Sequence, residues 1–261
     1  MGRTIAIANQ KGGVGKTTTC VNLAAALAMN RKRVLLVDLD PQGNATVGSG
    51  VDRNRVRLNG YHVLLDEVSV REAVMDAPSG GFQIVPGNSD LTAAEVALME
   101  AESREQHLRR QLARVRDSYD YILVDCPPSL NILTVNALVA AHGVLIPIQC
   151  EYYALEGLTA LLDTIHRVQE QANTELVIQG LLRTMYDPRN NLATQVGAQL
   201  LQHFPRQVYS TLIPRNVRLA EAPSHGLSAI QYDRYSRGAL AYMALASEII
   251  RKDMTAAATT A

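Results

Sequence analysis

Tryptophan is absent from this 261-residue sequence and phenylalanine occurs only twice, so a core has to be built from Leu, Ile, Val and Ala. Cysteine is scarce as well. Cys20, Cys126 and Cys150 form an odd set without paired spacing, which excludes a disulfide-stapled scaffold and suits a reducing compartment. Net charge is missing, with 25 basic against 25 acidic side chains, and this excludes a surface that binds polyanions over its whole extent. No apolar stretch reaches the ~18 residues needed to span a bilayer. The first apolar run, Ile5-Ala-Ile-Ala, follows Met1-Gly-Arg almost directly, without a leader-like segment. The expectation is a soluble cytoplasmic protein, large enough for one substantial α/β domain or two small ones.

Short apolar runs alternate with helical patterns along the chain. Thr4 to Ala8, Arg33 to Val37, Tyr121 to Val124, Val144 to Ile148 and Leu176 to Leu182 are β-branched-rich and almost continuously apolar, as strands buried on both faces are. Helical spacing covers Thr17 to Met29, Ser103 to Asp117, Ile132 to Ala141, Leu155 to Gln171 and Leu192 to His203. This alternation predicts an α/β fold: a mostly parallel, twisted sheet covered by helices on both faces. The polar stretch Gly48 to Gly60 reads as a surface insertion. With no repeat and no linker, one domain is expected over 1–254, followed by a disordered tail over 255–261.

The first strand runs into Asn9-Gln10-Lys11-Gly12-Gly13-Val14-Gly15-Lys16-Thr17-Thr18, and a helix follows. Glycines let backbone N–H groups turn inward around phosphates, and the helix N-terminus adds partial positive charge. Lys16 is placed to meet the terminal phosphates of ATP, and the Thr17 hydroxyl to ligate Mg²⁺. Two further strands end in acid, in Asp38-Leu-Asp40-Pro41-Gln42-Gly43 and in Asp125-Cys-Pro-Pro-Ser129. Carboxylates at strand ends beside such a loop can hold a metal's water shell and orient an attacking water.

The loop carries Gln10 where the standard pattern has its first glycine, and a second lysine follows it. In this it resembles the deviant Walker-A ATPases, with their K-G-G-x-G-K-[ST] signature. Nearly the whole chain is similar to the ParA/Soj group of chromosome- and plasmid-partition ATPases. The motifs that carry the resemblance are Asp38-Leu-Asp-Pro-Gln-Gly-Asn-Ala-Thr46, Asp125-Cys-Pro-Pro-Ser-Leu130, Pro147-Ile-Gln-Cys-Glu-Tyr-Tyr-Ala-Leu-Glu-Gly157 and Ile213-Pro-Arg-Asn-Val-Arg-Leu-Ala-Glu-Ala-Pro-Ser-His-Gly226. The resemblance implies a slow, partner-stimulated ATP hydrolase that forms a homodimer with two ATP sandwiched between subunits. It implies that Lys11 reaches the partner subunit's ATP, that Asp40 positions the water, and that Thr17, Asp38 and Asp125 serve the Mg²⁺ shell. Nucleotide contacts are expected from Gly12, Gly13, Val14, Gly15, Lys16, Thr17 and Thr18, from Met185, Pro214 and Asn216 near the adenine, and from Glu151 across the dimer.

The resemblance further implies sequence-independent binding of double-stranded DNA through Arg189 and Arg218, release by a ParB-like centromere-binding protein, and a nucleoid-associated location. From Leu181 onward nine Arg and Lys face five acids, a net +4 that permits a basic face there. A MinD-like membrane-positioning ATPase is the alternative. That reading wants a bulky amphipathic C-terminal helix, whereas this chain ends Met254-Thr-Ala-Ala-Ala-Thr-Thr-Ala261. The cysteines lack the flanking motifs of cluster-holding reductases and read as core or loop thiols.

Overall fold

The computed structural model describes residues 2–152 and 154–260, with side chains described except at 154–156 and 256–260. Its strands are β1 (Arg3–Ile7), β2 (Val34–Asp38), β3 (Met75–Asp76), β4 (Gln83–Val85), β5 (Tyr121–Asp125), β6 (Gly143–Gln149) and β7 (Val177–Thr184). The helices before β5 are α1 (Lys16–Met29), α2 (Asn44–Gly48), α3 (Gly60–Leu64), α4 (Val70–Ala73), α5 (Leu91–Glu100) and α6 (His107–Ala113). After it come α7 (Ile132–Ala140), α8 (Ala154–Gln171), α9 (Asn191–His203), α10 (Val217–Glu221), α11 (Ala229–Tyr232) and α12 (Arg237–Thr260).

The strands form one sheet in the order β3-β4-β2-β5-β1-β6-β7, parallel throughout except for the two-residue edge strand β3. Every residue of β2 and β5 is buried, which accounts for their uninterrupted apolar sequence. One core cluster joins Leu35, Val37, Ile122 and Val124 to Leu91, Leu133, Leu138 and Leu161 on one face. The other joins Ile5, Ile7, Leu36 and Leu123 to Leu23, Leu27, Tyr242, Leu245 and Ile249 on the opposite face. Alternate residues of each strand thus feed opposite cores, the period of two that a sheet imposes. Helices cover both faces, as the sequence predicts.

The five expected strands and five expected helices are present, with ends moved by one or two residues in most cases. One helix is shorter than expected: over Ser103 to Asp117 only α6 is α-helical, followed by a 3-10 turn at Arg116–Ser118. The short β3 and β4 carry too few residues to show a period, and β4 is fixed by its register against β2, Leu35 to Gln83 through Val37 to Val85. Helix α12 follows the Arg- and Pro-rich segment and docks on α1, where the Tyr242 and Thr19 hydroxyls meet at 3.1 Å. Its far end is tied to the sheet by an ion pair from Asp253 to Arg3 and a 2.9 Å hydrogen bond from the Tyr121 hydroxyl to Asp253. The backbone of α12 continues to Thr260, so the expected tail 255–261 lies mostly beyond the described side chains. Among the described residues no helix is long and apolar enough to cross a membrane.

Candidate functional site

Strands β1, β2 and β5 end side by side, and the loop 9–15 rises from the first of them into α1. Gly13 and Gly15 sit at φ 72° and 90°, the left-handed region that a side chain disfavours, and Gly15 caps α1 in that conformation. A Cβ on Gly12 or Gly13 would meet nothing within 4 Å, so these glycines stand in open space. Neighbouring strands brace it. The Asn9 side-chain amide donates to the Pro147 carbonyl at 2.7 Å, and the Thr184 hydroxyl donates to the Val14 carbonyl at 2.8 Å. Lys16 is only 6% exposed and its Nζ donates to the Lys11 carbonyl at 3.1 Å. Burial lowers the Lys16 pKa, while Asp125 and other nearby groups oppose the shift. Such a cation is held in place and under-solvated, ready for a polyanion.

The parallel register sets Asp38 directly against Asp125 at the carboxyl ends of β2 and β5. Both are wholly buried. Burial first, and the adjacent Asp38 carboxyl next, push the Asp125 pKa far above the ordinary carboxylate range, with the Thr17 and Cys20 side chains opposing the shift. The Cys20 thiol donates to Asp125 Oδ1 at 3.3 Å, leaving the buried Oδ2 without a partner among the described residues. Asp38 differs. Its Oδ1 accepts from the Asp40 N–H at 3.1 Å, and its Oδ2 accepts from both the N–H and the hydroxyl of Thr46, at 2.8 and 2.7 Å. These bonds turn the Asp38 oxygens toward Asp40 and Thr46, where they shape the turn after β2. Asp40 lies on that turn, with its Oδ1 accepting from the Gln42 N–H at 3.0 Å.

Magnesium fits this site on one observation. A buried carboxylate oxygen lacking a partner sits beside Thr17, at the mouth of a phosphate loop. Mg²⁺ in nucleotide sites is held through one or two protein oxygens plus phosphates and water, so a larger cage is not required. With neither metal nor nucleotide bound, Asp125 is a destabilised charge. Its folded-state pKa is raised, so its contribution to stability is most favourable below the unfolded aspartate value and is lost as pH rises toward and through the folded value. Asp125→Asn is expected to melt a few degrees higher than the parent near pH 8, with a flatter profile from about pH 5 to about pH 8. A parent whose melting temperature in chelator stays level across that range would show that the carboxylate carries no such penalty.

Beside the loop lies a cavity of about 190 Å³ lined by Gly15, Thr18, Thr184, Met185, Pro214, Asn216 and Tyr242, among others. It brings together Thr18 with the three residues expected near an adenine. Met185 is held there at φ 48°, a strained conformation for a residue with a side chain. Asn216 caps α10 by accepting from the Arg218 N–H at 3.0 Å. Sequence reasoning missed Thr184, Leu219 and Tyr242 as lining residues, because in sequence they carry only the signal of core positions.

The Lys11 ammonium pairs with Glu151 of its own chain at 2.6 Å, with both side chains partly exposed. The two residues expected to cross a dimer interface thus meet each other. Arg189 is 88% exposed at its side chain, paired with Asp187 at 2.8 Å. Arg218, 45% exposed, is shared between Glu221 at 2.8 Å and Asp233 at 3.4 Å. All three cysteines are buried and free.

A family model described as an AAA domain matches residues 2–178. The sporulation initiation inhibitor protein Soj of Bacillus subtilis is 53% identical over 249 residues, spanning 95% of this chain and 98% of that protein. The chromosome partitioning protein ParA of Myxococcus xanthus is 49% identical over 253 residues, 97% of this chain and 89% of that one. Among solved structures, cobyrinic acid a,c-diamide synthase from Mycobacterium smegmatis with bound ATP analogue and magnesium superposes with a TM-score of 0.85. That match has 38% identity and covers 96% of this chain and 95% of the other. Loop, acidic strand ends and relatives agree on an ATP hydrolase that uses ATP and Mg²⁺. With identity near one half over nearly the whole chain, the protein belongs to the ParA/Soj family of partitioning ATPases.

Proposed function

We propose that this protein is a DNA-partitioning ATPase of the cytoplasm and nucleoid, whose Mg-ATP-bound form is a homodimer that holds double-stranded DNA without sequence preference. The observation that carries the reading is the division of labour between two lysines on one loop. Lys16 is buried at the phosphate loop, while Lys11 is partly exposed and held in an ion pair with Glu151. A partly exposed cation outside the buried site is suited to a second subunit's triphosphate, where it offsets repulsion between two closely placed polyanions. Within each site Lys16 and the loop N–H groups stabilise charge on the transferring phosphoryl group, and Asp40 orients the attacking water. Thr17 and Asp125 would hold Mg²⁺, which would supply charge neutralisation to the phosphates.

Arg189 and Arg218 present guanidinium groups on the exterior of the C-terminal third. Their present partners are surface carboxylates, and such pairs in water are weak enough for a DNA phosphate to displace. One subunit neutralises few phosphates; pairing two copies makes the second engagement intramolecular. Dissolution of the dimer after hydrolysis then releases DNA, and a ParB-like centromere-binding protein is the proposed trigger.

Co-sedimentation with unrelated duplexes tests this reading. Binding with ATP is expected to exceed that with ADP or no nucleotide by about tenfold or more, and to fall steeply with salt. Lys11→Ala should keep much of its monomer's ATP affinity yet lose the ATP-dependent gain in DNA binding. Equal DNA binding by the ADP and ATP forms would overturn the mechanism.

A further inference from the structure

We infer that Thr46 is a positioning residue for hydrolysis: its buried hydroxyl relays the loop after β4 to the backbone of Asp40, an inference that rests on the role given above to Asp40. Thr46 lies in α2 and is wholly buried. Its Oγ1 donates to Asp38 Oδ2 at 2.7 Å and accepts from the Gly87 N–H at 2.8 Å. The other oxygen of the same carboxylate accepts from the Asp40 N–H at 3.1 Å. An unbroken line of hydrogen bonds therefore runs from Gly87 through Thr46 and Asp38 to Asp40.

Residue types along the line are tightly constrained. A hydroxyl is the smallest group that donates to a carboxylate and accepts from an amide at once. Gly87 has to be glycine on grounds of space alone, since a Cβ there would come within 2.6 Å of the Asp38 carbonyl oxygen and 2.9 Å of its carboxyl carbon. The loop that bears Gly87 is braced from the segment read in sequence as a surface insertion. Gly60 N–H donates to the Pro86 carbonyl at 2.9 Å, and the Asn59 side-chain amide donates to Asn88 Oδ1 at 3.0 Å and to Asp90 at 2.8 Å. Asn59 is itself wholly buried, so the end of that segment belongs to the body of the protein. The turn carrying Asp40 is in this way referenced to β4 and α3, and through β4 to the sheet. In-line attack is sensitive to displacements on the order of 1 Å, and a relay of short, buried hydrogen bonds supplies the required stiffness.

Valine matches the shape of threonine but leaves the Gly87 N–H and one Asp38 lone pair unsatisfied. In the full-length protein, Thr46→Val is expected to lower kcat for ATP by about tenfold or more, with KM and affinity for a non-hydrolysed ATP analogue within about twofold of the parent. Thr46→Ser should restore kcat to within about threefold of the parent. A folded Thr46→Val with parental kcat, or one whose analogue affinity falls as far as its kcat, overturns the relay; so does a folded Thr46→Ser as slow as the valine variant. Asp40→Ala, measured in parallel, separates the two readings. If it hydrolyses normally, the role of Asp40 is wrong; if it is inactive while Thr46→Val is normal, only the relay is wrong. Should neither Thr46 variant fold, hydrogen exchange on the parent decides. The Gly87 amide is expected to be protected, and exchange at the rate of an open loop amide overturns the proposal.

Discussion

Lys16→Ala is expected to weaken ATP binding by about two orders of magnitude or more and to abolish hydrolysis. The residue is the buried cation of the phosphate cradle, its ammonium held by the Lys11 carbonyl and by the field of Asp125. Its solvation has already been surrendered on folding, so phosphate oxygens meet a cation that needs little further desolvation. Backbone N–H groups and the N-terminus of α1 remain in the variant, but they supply partial charges only. Since burial destabilises the charged form of Lys16, its removal is not expected to unfold the protein, and the melting temperature without nucleotide serves as the control. Titration with a fluorescent ATP analogue measures the effect. Near-parental affinity in a folded Lys16→Ala protein would place the nucleotide elsewhere.

Asp40→Ala should separate binding from chemistry. The carboxylate lies on the turn after β2, anchored by the Gln42 N–H, on the side of the sheet where the loop 9–15 opens. It does not belong to the cradle that grips phosphate. Its loss is expected to cut the hydrolysis rate by about 10²-fold or more while leaving ATP affinity within a few-fold, because water orientation matters at the transition state and not in the ground state. With hydrolysis blocked, the ATP-bound homodimer should accumulate, and light scattering after gel filtration in Mg-ATP reads that directly. A monomer under those conditions, in a variant shown to bind ATP, would contradict the proposed assembly. The paired variants also discriminate between roles: Lys16→Ala is silent for want of substrate, whereas Asp40→Ala is loaded and stalled.

Asp38 and Asp40 illustrate why spacing alone does not separate neighbouring acids. Two aspartates separated by one residue at a strand end are equivalent in sequence. In the fold, the register of β2 against β5 buries Asp38 beside Asp125, and Thr46 and the Asp40 N–H take up its oxygens. Asp40 comes one step later, past the end of the sheet, where the chain turns outward. The same limitation applies to Lys11 and Glu151, which are 140 residues apart yet form an ion pair. It applies again to Arg218, whose two acidic partners come from α10 and from the turn after α11.

The chemistry of the phosphate loop was settled by the sequence alone, because it depends on neighbours along the chain. Glycines at fixed offsets allow left-handed backbone, and the lysine and threonine that follow enter the first turn of a helix whose N-terminus attracts anions whatever surrounds it. The central strands were equally legible, since burial on both faces demands an unbroken apolar run. What only the tertiary structure decided are the properties that arise between distant segments: the position of β4, the docking of α12, the cavity closed by Thr184 and Tyr242, and which carboxylate oxygen is left over beside Thr17. Each is fixed by which partner satisfies a buried group first. A buried hydrogen-bonding group must find a partner somewhere, but nothing in its own sequence neighbourhood states where.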